Sequence, residues 1–164
     1  MWDNAYLEQA RSDWKTYNII EEYSDAACHG LHYLQMTTEK LGKAALLRSG
    51  SSKLDSVQQN HRGFTSLLRM VSRSSALQYE FKMNSSQLKQ HIQEMLPVAY
   101  VVEHLAPALA NKGPNAEYPW ETPTREVICP ASFVFPVVQE LRSPKGLKLL
   151  KLITTLLNKF DSFF

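Results

Sequence analysis

Residues 6–23 read YLEQARSDWKTYNIIEEY, and their spacing decides the fold class. Leu7, Ala10, Trp14 and Tyr17 recur at steps of three and four, which places them on one face of a helix. Arg11, Lys15 and Glu22 fall mainly on the other side. Asp3 or Asn4 is suited to cap the start by accepting from backbone N–H groups that lack an intrahelical partner. Helical periodicity of this kind recurs through most of the chain, and no alternating strand pattern competes with it.

Ser24-Asp25 is the next cap signal, and a second helical pattern follows to about Arg48. Its stripe is Ala27, Leu31, Leu34, Leu41 and Ala45, with Thr38 completing the spacing. Ala26, Ala27, Gly30, Gly42, Ala44 and Ala45 keep the helix narrow enough for close approach by a neighbour. Gly30 and Gly42 each cost about 1 kcal/mol of helix stability relative to Ala, which tight packing is expected to offset. Ser49-Gly50-Ser51-Ser52 stops this helix. A short connection leads to His61, and Phe64, Leu67, Leu68 and Val71 form a third stripe that Leu77 and Phe81 can extend. Asn84-Ser85-Ser86 can cap a further helix carrying Leu88, Ile92 and Met95, which Pro97 is expected to break, kink or restart.

Six of the eight prolines crowd into residues 107–136, which excludes a long regular helix there. Tyr118, Trp120, Val127, Ile128, Phe133 and Phe135 are interleaved with them, so this is read as an ordered loop against the helices, with a short extended stretch at Arg125–Ile128. A last helix follows, with Leu149, Leu150, Ile153, Leu156, Leu157 and Phe160 on its apolar face and Lys145, Lys148, Lys151 and Lys159 opposite. The expected fold is all-α: an up-and-down bundle of four to five helices, one domain over residues 1–164, with a long Pro/aromatic-rich loop before the C-terminal helix.

Composition agrees. A chain of 164 residues, 44% hydrophobic and 21% charged, can bury one core without metal or disulfide staples. The formal charge of +2 is too weak to imply nucleic-acid binding by electrostatics alone. Met1-Trp2-Asp3-Asn4 has no basic or apolar leader character, and no apolar run reaches the ~18–20 residues of a membrane span. A cytoplasmic setting without a membrane role is expected, with Cys28 and Cys129 reduced.

Several of these stretches resemble the HEPN family. They are Ala10-Arg11-Ser12-Asp13-Trp14, Ser24-Asp25-Ala26-Ala27-Cys28, the run Thr38-Glu39-Lys40-Leu41-Gly42-Lys43-Ala44-Ala45-Leu46-Leu47, His61 before Phe64 and Leu67-Leu68, and Tyr118-Pro119 in the long loop. The resemblance covers residues 4–72 well and the remainder loosely. It implies a helical bundle, commonly a homodimer, associated with RNA cleavage, nucleotide binding or partnership with a nucleotidyltransferase in toxin–antitoxin or defence pairs. Nucleases of the family carry Arg, four to six residues, then His on a late helix. None of His61, His91 and His104 follows an arginine at that spacing. A noncatalytic protein is therefore expected, binding a nucleotide, RNA or a nucleotidyltransferase partner. The alternatives are a helical assembly protein with no small ligand and a metal-independent ribonuclease using His61 and Arg62.

The candidate binding residues each have a plainer role open to them. His61-Arg62 stands at a helix start, where free N–H groups and the helix dipole favour an anion, or else His61 packs locally and Arg62 is solvated. Lys40 and Lys43 could line a nucleotide groove with Arg11, Lys15 and Arg62, or Glu39 and Lys43 form a surface i, i+4 pair. Tyr118 and Trp120 could stack on a base or pin the loop to the core. His29 and His32 stand at i and i+3 but lack the third ligand that a catalytic zinc requires, so no metal and no cofactor is expected. No catalytic residue is assigned.

Overall fold

The computed structural model describes residues 1–23 and 27–164, so the Ser24-Asp25 cap signal lies outside the described residues. The chain is an all-α helical bundle. α1 (Trp2–Tyr23) and α2 (Ala27–Arg48) form a long hairpin, followed by α3 (Leu54–Gln59), α4 (Gly63–Val71), α5 (Ser75–Phe81), α6 (Ser85–Glu103), α7 (Pro136–Arg142) and α8 (Pro144–Asn158). The expected helices correspond to α1, α2, α4, α6 and α8. The short α3 and α7 fall outside the expected helices, and α5 holds Leu77 and Phe81, the extension of the third stripe, as a separate helix.

α2 is the central element, packing on α1, α4 and α6. Of its stripe, Leu31, Leu34, Thr38, Leu41 and Ala45 are buried and Ala27 is half-buried, and Leu7, Ala10 and Tyr17 of α1 are buried against it. Gly42 makes the α2–α4 crossing possible. A Cβ there would stand 2.5 Å from the Gly63 carbonyl carbon and 2.8 Å from the Phe64 backbone nitrogen, so the two backbones meet with no side chain between them. Gly30 has no such role, since its added Cβ would crowd only the movable carboxylate of Glu21 and touch Ile20 Cγ2 at an ordinary 3.8 Å.

Two expected boundaries are corrected. α1 begins at Trp2, so Asp3 and Asn4 lie in its first turn rather than before it. There they serve a tertiary contact: Arg48, at the end of α2, donates to the Asp3 carboxylate and to Asn4 Oδ1. Of the expected outcomes at Pro97, a break or a restart does not occur, because it lies inside a continuous α6. Pro97 and Gln93, whose carbonyl loses its usual N–H partner, are both on the exposed side, where water can satisfy that oxygen. The Asn84 cap is present as a reciprocal box, Asn84 Oδ1 accepting from the Gln87 N–H and Gln87 Oε1 from the Asn84 N–H, both at 2.9 Å.

The Pro-rich segment is ordered, as its aromatic content implies. Trp120–Glu121 (β1) pairs antiparallel with Val127–Ile128 (β2), followed by a 3-10 turn over Pro130–Ser132. Of the extended stretch expected at Arg125–Ile128, only Val127–Ile128 is strand, and Arg125 takes a positive φ of 63° in the hairpin turn. Ser143 separates α7 from α8, its Oγ accepting from the Gly146 N–H while Pro144 occupies the first helical position. No helix among the described residues is long and apolar enough to cross a membrane.

Candidate functional site

The residues expected to form one basic groove fall into separate places. Tyr6, Gln9 and Asp13 share one face of α1, and this face meets Lys40 and Lys43. Lys40 pairs with Asp13, which also accepts from Gln9, and the Lys43 ammonium lies over the Tyr6 ring. Arg11 is two residues from Asp13 and so on the far side of α1. Its guanidinium donates through Nε and Nη2 to the Leu157 carbonyl of α8, at 3.0 and 2.8 Å. Lys15, one turn on from Arg11, is exposed.

Lys43 is itself buried. It pairs with Glu39 at 2.8 Å and donates to the Gln58 carbonyl at the end of α3. Glu39 also accepts from Gln35, and its Oε1 lies 3.2 Å from His61 Nδ1. Burial alone would raise the Glu39 carboxyl. Hydrogen bonds from Lys43 and Gln35, the Lys43 charge and the His61 contact outweigh that and hold it below its ordinary value. Glu39, Lys43 and His61 therefore form a compensated polar seam joining α2 to the α3–α4 connection.

The helix start after His61-Arg62 is not open to an anion. The N–H groups of Phe64 and Thr65 donate to Glu103 Oε1 at 3.0 and 3.1 Å, and Thr65 Oγ1 donates to Glu103 Oε2 at 3.0 Å. Glu103, only 3% exposed, supplies from the end of α6 the negative charge that the sequence reading sought in a ligand. Arg62 remains exposed beside it.

Trp120, read as one half of a stacking platform, is buried instead. Its ring meets Phe133 edge-on at 5.0 Å, and Phe133 meets Phe135 at 4.9 Å. Tyr118 is 61% exposed, its backbone N–H held by Asn115 Oδ1.

A separate concavity lies between the end of α6, the following turns and the start of α7. This cleft of about 480 Å³ has a largely apolar lining, including Leu105, Phe133, Phe135 and Val137. Tyr100 and His104 form one wall, their rings stacked at 3.8 Å with an interplanar angle of 28°. The Tyr100 carbonyl lies 2.9 Å from His104 Nδ1 and fixes that imidazole. Asn111 and Glu140 add polar groups, and no lysine or arginine lines the cleft. An apolar hollow with an aromatic wall and few polar groups suits a flat, weakly polar ligand. The sequence reading passed over it, although Tyr100 and His104 at i, i+4 on the solvent side of an apolar helix were a usable signal.

A second cleft of about 410 Å³ separates the first turns of α2 from the Pro-rich loop. Cys28, His29, His32, Glu117, Tyr118 and Cys129 line it. His32 Nδ1 lies 3.4 Å from Glu117 Oε1 without the alignment of a hydrogen bond. Among the described residues, no three His, Cys, Asp or Glu side chains converge where a metal ion could sit. Compared with protein families, curated proteins and solved structures, the chain matches none.

Proposed function

We propose that this chain is a noncatalytic, HEPN-like binding protein that takes the base of a nucleotide or of RNA in the cleft at the end of α6. The observation that carries the reading is the Tyr100–His104 stack, exposed at Tyr100 and half-buried at His104, forming one wall of an apolar cleft. Bases bind aromatic faces through stacking, and Asn111 and Glu140 offer groups for a base edge. The absence of lysine and arginine from the lining makes the base, rather than a phosphate chain, the recognised part. Noncatalytic action follows from the missing Arg–His spacing. The same reading takes the protein as a homodimer able to work beside a nucleotidyltransferase partner, and light scattering alone and with that partner checks it.

The packing of α2 favours this reading over the assembly-protein alternative, which the near-neutral charge still supports: Gly42 meets α4, and Ala44 and Ala45 are fully buried within the chain.

The test is thermal melting with nucleosides, their monophosphates and short RNAs. A ligand at 100 times its dissociation constant adds about 2.7 kcal/mol. For a domain of this size that raises the midpoint by roughly 5–11 °C. Tyr100→Ala should abolish the rise while leaving the unliganded midpoint nearly unchanged, because Tyr100 is 54% exposed. No rise with any of these ligands refutes the proposal.

A further inference from the structure

The second cleft brings together two thiols that lie far apart in sequence. Cys28 is in the first turn of α2 and buried; Cys129 caps the 3-10 turn of the loop and is exposed. That turn packs directly on α2, and both cysteines border the same cleft. A metal does not explain the pairing, because the surrounding imidazoles and carboxylates do not converge on a common point. The chemistry open to an exposed and a buried thiol bordering one cleft is thiol–disulfide exchange, with the accessible sulfur reacting first.

We propose that this cleft is a thiol-modification site for low-molecular-weight disulfides, in which Cys129 reacts first as the nucleophile and Cys28 resolves the product. In the first step the Cys129 thiol loses its proton to solvent and its sulfur attacks one sulfur of glutathione disulfide. The S–S bond of that molecule breaks, and one glutathione leaves as a thiolate that takes up a proton. In the second step Cys28 loses its proton, its sulfur attacks Cys129 Sγ, and the second glutathione leaves. The protein gives up two electrons and two protons, and the glutathione disulfide is reduced to two glutathiones. The resulting bond crosses the cleft from α2 to the loop and closes the space between His29, His32 and Tyr118.

The experiment treats the purified full chain with glutathione disulfide, quenches with acid, alkylates remaining thiols in denaturant and measures intact mass. The expected wild-type product carries neither alkyl groups nor glutathione. Cys28→Ser should stop at a glutathione adduct on Cys129. Cys129→Ser should stay unmodified, its buried thiol alkylated only after unfolding. Far-UV circular dichroism confirms that both variants are folded, and the wild-type result stands without them. A wild-type chain that stops at a stable glutathione adduct overturns the proposal, because the thiols are then out of mutual reach. So does a wild-type chain that remains fully alkylated.

Discussion

Gly42→Ala tests the packing on which the bundle depends. The new methyl would sit 2.5 Å from the Gly63 carbonyl carbon, 2.8 Å from its oxygen and 2.8 Å from the Phe64 nitrogen. All three are backbone atoms, so no rotamer change relieves the contact and α4 must move away from α2. Overpacking of this kind costs about 1–3 kcal/mol. Displacing the start of α4 also strains the hydrogen bonds from Phe64 and Thr65 to Glu103, and bonds to a charged group contribute about 1.5–3 kcal/mol each. Against this, alanine gains about 1 kcal/mol in helix propensity. The net expectation is a loss of about 2–4 kcal/mol, read as a melting point lower by roughly 4–16 °C. Gly30→Ala is the internal control. It crowds only the end of the Glu21 side chain, so it should be neutral or stabilising by up to about 1 kcal/mol. Urea and thermal unfolding of the two variants decide the matter. A Gly42→Ala protein as stable as wild type would refute the close backbone crossing.

Glu103→Ala should destabilise by about 3–5 kcal/mol in urea titration, since two backbone N–H groups and a hydroxyl lose their acceptor and each unsatisfied buried group costs about 1–3 kcal/mol. Glu103→Gln keeps one oxygen acceptor and should lose less than half as much. Stability should also fall with acid in two windows. His91 is held below its ordinary 6.5 by burial and next by Lys148, with Lys151 adding to this and Glu94 opposing it. Below about 6.5 the unfolded chain therefore binds the proton more readily, and stability present above that pH is lost as pH falls. His91→Asn should flatten this upper window in melting curves recorded across it. Glu39, held low, contributes stability that is complete above its ordinary 4.5 and lost as pH falls through its folded value.

The long helices were legible because their apolar residues repeat at helical spacing over several turns. α3 was not, since six residues carrying one buried side chain, Val57, leave no period to detect. Pro97 does not end α6, since the Gln93 carbonyl that it deprives of a partner is on the exposed side, and exposure cannot be seen in sequence. The expected anion site failed for a different reason. Its N–H groups were correctly placed at the start of α4, but Glu103 reaches them from about 40 residues away along the chain. The basic groove failed on the geometry of α1 itself: Arg11 and Lys15 lie on one side, Asp13 on the other, and only the second side meets Lys40.

The distribution of charge has a consequence for binding that salt can expose. Lys40 pairs with Asp13, Lys43 with Glu39, Arg48 with Asp3 and Asp161, Lys148 with Glu94 and Lys159 with Glu80. Cations so compensated leave little field to gather phosphates, and none of them lines the aromatic cleft. A ligand taken up there is held by stacking and apolar contact, which counter-ions do not weaken. Binding that neutralises phosphates loses affinity steeply with salt, with a logarithmic slope of about −0.7 for each phosphate contacted on a single strand. The base-in-cleft reading instead requires a slope near zero, and a nucleoside should bind about as well as its monophosphate. Titration by fluorescence or calorimetry across a tenfold range of salt measures both. A slope of about −2 or steeper would correspond to roughly three phosphate contacts and shift the site to exposed cations such as Lys15 and Arg62.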